Sequence, residues 1–236
     1  MTDTSPQPVE ERLADRVSGR HVGVQRGLRL LGRLDRAAYR TVAQLATPPL
    51  DRPLRWVSDF ADFSKPWFLA AGVLAAFGGA RGRRAAVTGL AAIGLNSLLV
   101  NQPMKRAGAR RRPNRTQLGV PENRWVRMPL STSFPSGHSA SAAAFAVSVG
   151  RLLPGLRLPL RVAAGIVAFS RLYTGVHYPG DVVVGAALGT IVGWATSAVA
   201  LRLRASSAEQ RLGSAESLET SLQMRFRARF RPKSSI

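Results

Sequence analysis

The chain has 236 residues, no Cys, three His and a formal net charge of +21, nearly all of it from arginine. The lack of thiols excludes a disulfide framework and a thiolate zinc site. So basic a balance points to nucleic acid, an anionic membrane surface or an anionic substrate, and the clustering of the apolar residues favours the last two.

Residues 1–20 are polar, mixed in charge and without the apolar core of a signal peptide, so a disordered tail is expected there. Two stripes then interleave at helical spacing over 26–45. Leu28, Leu31, Leu34, Ala38, Val42 and Leu45 form one, and Arg26, Arg29, Arg33, Arg36 and Arg40 form the other. This pattern predicts an amphipathic helix too charged to cross a bilayer and suited to its interface, Leu side in the acyl region and Arg side toward phosphate head groups. Thr47-Pro48-Pro49 ends it, and a second short amphipathic piece near 54–63 leads onward.

Residues 66–80 are uncharged, 81–84 form a basic turn, and 85–104 are uncharged for twenty residues, enough to cross a hydrocarbon core. A long loop rich in Arg, Pro and Asn follows at 105–127. Further apolar helices are expected from 139 to about 153 and over 160–173, and 182–201 is a second uncharged run of twenty residues. Frequent Gly and Ala in these runs permit close helix packing in lipid. The pattern predicts an all-α bundle of about five membrane spans. Its expected divisions are a tail at 1–20, an interfacial region at 21–63, a transmembrane domain at 64–203 and a basic disordered tail at 204–236. The last part alternates Arg with apolar residues at 225–231 and suits anionic lipid.

Three clusters carry chemistry. Lys105 and Arg112, the latter followed by Pro113, stand directly after the 85–104 run. Seven residues apart on a helix, they would share a face, and two cations at a helix mouth can grip phosphate oxygens, the Arg in bidentate fashion. Pro135-Ser136-Gly137-His138-Ser139 opens an apolar helix, whose N-terminus offers unpaired amides to an anion, with a histidine beside them for proton exchange. The third cluster runs from Ser170-Arg171 to His177 and Asp181. Arg171 is a charge within an apolar helix, a costly placement that marks a functional site. A carboxylate bonded to one nitrogen of His177 would fix its tautomer and make the other a better nucleophile or base. Each cluster also has a plainer reading, as membrane-flanking charge, a helix cap or a structural His–Asp bond. The alternation of spans places all three at helix ends on one membrane side. His21 lies in no such cluster and receives no role.

Taken in order, the three clusters resemble the type 2 phosphatidic acid phosphatase family, which includes vanadium haloperoxidases and bacterial glucose- and lipid-phosphate phosphatases. Its pattern is Lys-x6-Arg-Pro, Pro-Ser-Gly-His and Ser-Arg-x5-His-x3-Asp, and Lys105…Arg112-Pro113, Pro135-Ser136-Gly137-His138 and Ser170-Arg171…His177…Asp181 match it without departure, within about residues 60–201. The resemblance implies that His177 attacks phosphorus to form a phosphohistidine, that Asp181 orients it, and that His138 protonates the leaving oxygen and then activates water. It implies that Lys105, Arg112 and Arg171, with the Ser136 hydroxyl and the Gly137 amide, hold the phosphoryl oxygens, and that no divalent metal or other cofactor is required. The site residues offer no carboxylate cluster for Mg²⁺.

The expected protein is therefore an integral-membrane phosphatase acting on a lipid phosphate or diphosphate of polyprenyl or phosphatidate type, with an anionic bilayer rather than nucleic acid as its partner. The alternatives are a haloperoxidase holding vanadate in the same cradle and a non-enzymatic basic membrane-binding protein. The total Lys/Arg count favours a cytoplasmic site. The short, purely basic loops on the other side favour an extracytoplasmic one, the expectation adopted for this multi-pass protein.

Overall fold

A computed structural model describes residues 23, 26–27, 30–104 and 110–229, and among these it contains helices and turns but no strand. Helix α1 covers 30–43, α2 Pro48–Phe60, α3 Lys65–Phe77, α4 Gly79–Asn96, α5 Gly137–Leu152, α6 Arg157–Tyr173 and α7 Pro179–Arg229. The expected tail at 1–20 lies outside the described residues.

Residues 44–47 separate α1 from α2, and Pro48 and Pro49 open α2, where the fixed φ of proline suits the first turn. Helix α4 does not run straight through the uncharged stretch to 104. It passes at Asn96 into a π-helical segment, Ser97–Met104. The expected disordered tail from 204 is helical as far as Arg229, as part of α7. Ala, Glu, Gln, Leu and Arg dominate 204–229, and their high helix propensity accounts for the continuation. Among the described residues one segment, Pro179–Ser207 of α7, combines the length and apolarity of a membrane crossing, with 29 residues of which the most apolar 18 have a mean hydropathy of 1.8.

The centre of the bundle is α5 against α7. Gly185, Gly189 and Gly193 recur every fourth residue on α7, and a Cβ on any of them would collide with the backbone carbonyl of Ser136, Ala140 or Ala144 on or just before α5. Side-chain-free backbone thus meets small-residue backbone, which lets two helices approach closely. The contact has a direct result for the site, because the Ser136 amide donates to the Asp181 carbonyl at 2.9 Å. The starts of the two helices bearing the second and third clusters are pinned side by side.

The apolar core lies on the other side of α5, where Trp67 and Ala71 of α3, Ala85, Ala86 and Ile93 of α4, and Val167 of α6 surround Phe145 and Val149. Near the site the fastenings are polar. Buried Asp51 of α2 accepts from Arg124 Nε at 2.7 Å, from Asn123 at 2.7 Å and from the Tyr173 hydroxyl. Arg124 also donates to the Ala43 and Leu45 carbonyls. One carboxylate–guanidinium pair thus ties the end of α1, the start of α2, the 120s loop and the end of α6 together.

Candidate active site

His177 stands in the short turn between α6 and α7, between Gly175, whose φ of +71° is left-handed, and Pro179, where α7 begins. The turn presents the imidazole inward, and only 1% of the residue is exposed. Its Nδ1 lies 3.5 Å from Asp181 Oδ2, while its Nε2 lies 3.3 Å from Arg112 Nη1. A guanidinium can only donate, so Nε2 carries the lone pair and Nδ1 the proton. Burial pushes the imidazolium pKa down to about 3; the Asp181 hydrogen bond opposes this, and the charges of Arg112 and Arg171 add to it. His177 is therefore neutral at physiological pH, as a nucleophile or base must be.

Asp181 is fully buried and heavily used. Oδ2 accepts from the Ser133 hydroxyl and, at 2.9 Å, from the Tyr178 amide; Oδ1 accepts from Arg110 Nη1 at 2.9 Å. Arg110 in turn reaches Asp35 of α1 at 2.6 Å and lies 4.0 Å from the Tyr178 ring centroid. Asp35 also accepts from the Gly180 amide at 2.6 Å, and Tyr39 of α1 donates to the Gly175 carbonyl at 3.1 Å. The N-terminal helix therefore braces the turn that carries His177, a connection between residues far apart in sequence.

Arg112 is not on a helix. Residues 110–114 have no helical structure, which overturns the shared helical face expected with Lys105. The residue before a proline is pushed out of the α region, and Arg112 precedes Pro113. Lys105 itself lies outside the described residues. The Arg112 guanidinium donates to the carbonyls of Ser131 (2.8 Å), Thr132 (3.2 Å) and Val176 (2.9 Å), so it clamps the 131–132 loop onto the His177 turn. Burial lowers its pKa to about 10, and the charge of Asp181 opposes that shift. It stays charged at neutral pH.

Arg171, near the end of α6, is 1% exposed. Nη1 donates to the Ser58 carbonyl (2.8 Å) and hydroxyl (2.7 Å) of α2, while Nε and Nη2 are buried without a protein partner. Nε–H and Nη2–H form one edge of the guanidinium, a fork matched to two phosphoryl oxygens.

His138 sits in the first turn of α5. Its Nε2 lies 2.9 Å from Asp62 Oδ1, and the same oxygen lies 3.7 Å from Arg171 Nη1. The His138 hydrogen bond lowers the Asp62 pKa; partial burial opposes the shift, and the Arg171 charge assists it. Asp62 remains ionised and holds the His138 ring at Nε2. Ser136 caps α5: its Oγ accepts from the Ser139 amide at 3.5 Å and the Ser139 hydroxyl at 3.0 Å, and the residue is fully buried. Gly137 and His138 open onto a cavity of about 480 Å³ whose wall includes Phe63, Arg127 and Leu130.

The structure thus brings Arg112, His177, Asp181 and Ser136 into one hydrogen-bonded group, and links Arg171 to His138 through Asp62. Sequence reasoning misses Asp62, Asp35, Arg110 and Ser133. The arrangement offers a neutral buried imidazole backed by a carboxylate, a second imidazole held by an acid, and an unpartnered guanidinium edge. That combination suits transfer of a phosphoryl group.

Comparison with known proteins agrees. A family model of the PAP2 superfamily matches residues 85–205. The decaprenylphosphoryl-5-phosphoribose phosphatase of Mycobacterium tuberculosis is 38% identical over 150 residues, covering 61% of this chain and 80% of that protein. The lipid A 1-phosphatase of Rhizobium etli is 40% identical over 62 residues, covering 26% of this chain and 25% of that protein. In structure, the transmembrane PAP2 type phosphatidylglycerolphosphate phosphatase of Bacillus subtilis superposes with a TM-score of 0.56 at 24% identity, covering 73% of this chain and 87% of its own. Aquifex aeolicus LpxE superposes with a TM-score of 0.53 at 27% identity, covering 68% and 92%.

Proposed function

Because the chain belongs to the PAP2 superfamily and is a phosphoric ester hydrolase, we propose that it removes the terminal phosphate from a membrane lipid through a phosphohistidine on His177. The observation that carries the reading is the neutral, buried His177 with Asp181 behind Nδ1 and the lone pair on Nε2. Nε2 attacks phosphorus, the bond to the leaving oxygen breaks, and His138 gives that oxygen its proton. Water then attacks phosphorus, His138 takes the water's proton, and the P–N bond breaks to return the electron pair to Nε2. Asp181 holds the Nδ1 proton and steadies the positive charge on the phosphorylated ring. The Nε/Nη2 edge of Arg171 holds phosphoryl oxygens, joined by Lys105, Arg112 and the Gly137 amide, while Ser136 fixes the start of α5 beside them.

The cavity beside His138 suits the leaving group, since the acid must face the departing oxygen. Its wall joins apolar Phe63 and Leu130, 87% and 103% exposed, to the cation of Arg127. A polyprenyl-type lipid phosphate with a polar group near the scissile ester fits that mixture, in line with the relative that acts on decaprenylphosphoryl-5-phosphoribose. The test is a panel of polyprenyl phosphates, polyprenyl-phosphosugar phosphates and phosphatidate offered to detergent-purified protein, and release of phosphate from none of them rejects the reading. In the same assay Asp62→Asn is expected to lose about tenfold on alkyl esters, which need the acid, and little on aryl phosphates, whose leaving groups do not. An equal loss on both would assign Asp62 a merely structural part.

We read the chain as multi-pass, with α3, α4 with its π extension, α5, α6 and α7 as five crossings and the site on the extracytoplasmic face. Helix α3, at 13 residues, spans only about 20 Å, so tilt and flanking residues complete it. Helix α1 lies in the interface, with Leu30, Leu31 and Leu34 exposed toward lipid. Cysteine placed at exposed Leu130 should react with a membrane-impermeant label added outside intact cells, and cysteine at Gly155, where a Cβ meets nothing within 4 Å, should not. Labelling of both from one side defeats the five-span reading, and the reverse pattern moves the site to the cytoplasm.

A further inference from the structure

At the end of the bundle remote from His177, helix α4 begins Gly79-Ala80-Arg81-Gly82-Arg83-Arg84, with no acidic residue in its first turn. Cations are disfavoured at a helix N-terminus, because the macrodipole there is already positive. Arg204 of α7 joins these three around a cavity of about 600 Å³. None of the four side chains has an ion-pair or hydrogen-bond partner among the described residues. Three like charges at the positive end of a dipole, with a fourth beside them on α7, repel one another, and an anion seated among them relieves that repulsion.

The rest of the wall says what kind of anion. Val87 and Leu203 line the cavity and are 68% and 64% exposed, and Leu201 and Leu152 lie beside them. An inorganic ion satisfies the guanidiniums and leaves this apolar surface bare. An acyl chain covers it. The cavity is also separate from the catalytic site. Leu152 closes α5, a 16-residue helix that starts beside His138, so roughly 24 Å of helix intervene.

We propose that this cavity binds the phosphodiester headgroup of an anionic phospholipid, held by Arg81, Arg83, Arg84 and Arg204, with an acyl chain along Val87 and Leu203. The inference rests on the membrane-embedded reading above, which puts this end of the bundle at headgroup level. Guanidinium forks and the α4 N-terminus supply complementary donors to phosphate oxygens. A phosphodiester has no terminal phosphoryl group for the catalytic site to remove, so the lipid stays a ligand and is not consumed.

The test uses full-length protein in neutral detergent, with phosphatidylglycerol, phosphatidylcholine and inorganic phosphate as probes, read by native mass spectrometry and by thermal stability. Phosphatidylglycerol should form retained adducts and raise the melting temperature, whereas phosphatidylcholine should do neither. Each basic residue near an anionic lipid is worth roughly fivefold in affinity, so Arg83→Gln/Arg84→Gln should bind about 25-fold more weakly and Arg204→Gln, on a different helix, about fivefold. Both variants should hydrolyse a soluble aryl phosphate within about twofold of the unmodified protein, which shows that they are folded. Unchanged phosphatidylglycerol affinity in both variants overturns the proposal. So does equal retention of phosphatidylcholine, or inorganic phosphate protecting as well as the lipid at the same concentration. Loss of aryl phosphate hydrolysis in the unmodified protein would instead reject the phosphatase reading, because lipid binding here requires no turnover.

Discussion

His177→Ala is expected to abolish turnover and, with it, any covalent phosphoenzyme. Removing a nucleophile that works as one unit with its acid and its orienting carboxylate costs on the order of 10⁴–10⁶ in rate. The unmodified protein, quenched during turnover of labelled substrate, should carry acid-labile phosphate on His177. Label on His138, or a His177→Ala protein turning over at near the normal rate, would exchange or abolish the assigned roles. The pH profile adds a second check. Burial holds the His177 pKa near 3 against 6.5 in the unfolded chain, so the folded protein binds this proton only in strong acid. Loss of kcat/KM between pH 7 and 5 should therefore be no steeper than protonation of the substrate and of other groups accounts for. The same shift makes the fold less stable as pH falls from about 6.5 toward 3, because over that window the unfolded chain takes up a proton that the folded one refuses.

The second large effect is expected at Arg171. Arg171→Lys keeps the charge and removes the Nε/Nη2 edge, the pair of buried donors without a protein partner. Buried donors left unpaired by the protein are costly, and their cost is recovered only when a ligand accepts both. Losing donors aimed at developing charge typically costs about 10²–10³ in rate, and a single ammonium cannot reproduce the fork. A kcat/KM for Arg171→Lys within about threefold of normal would show that this edge does not hold the phosphoryl group. The reading also requires that the variant keep its fold, which intact thermal stability would establish, since Nη1 is what ties α6 to Ser58.

Much of this site is legible in the sequence, and the reason is chemical. A histidine with a carboxylate four residues on, a histidine at a helix start and a charge inside an apolar helix are each costly or unusual in isolation. Together, in order, they form the constellation that the proposed phosphoryl transfer requires. What the sequence hides are partners that only the fold brings near. Asp62 stands 76 residues from His138, and Asp35 stands 75 from Arg110. Neither carboxylate breaks a periodic pattern or stands in a motif. Arg110 lies in a run of three arginines, and nothing local says which of the three faces inward. The helical face assumed for Arg112 fails for a local reason, the proline behind it, and the extension of α7 to Arg229 follows from propensity that composition alone obscures.

The bond from Asp35 through Arg110 to Asp181 constrains how the N-terminal segment is inherited. Arg110 divides one guanidinium between a carboxylate on the amphipathic helix and the one behind His177. Were Asp35 replaced alone, Arg110 would answer to Asp181 only, and the Gly180 amide would lose its acceptor. Were Arg110 replaced alone, two carboxylates would face each other across the turn. A chimera that grafts another protein's leading helix onto this bundle therefore keeps this brace only if that helix brings a carboxylate to position 35.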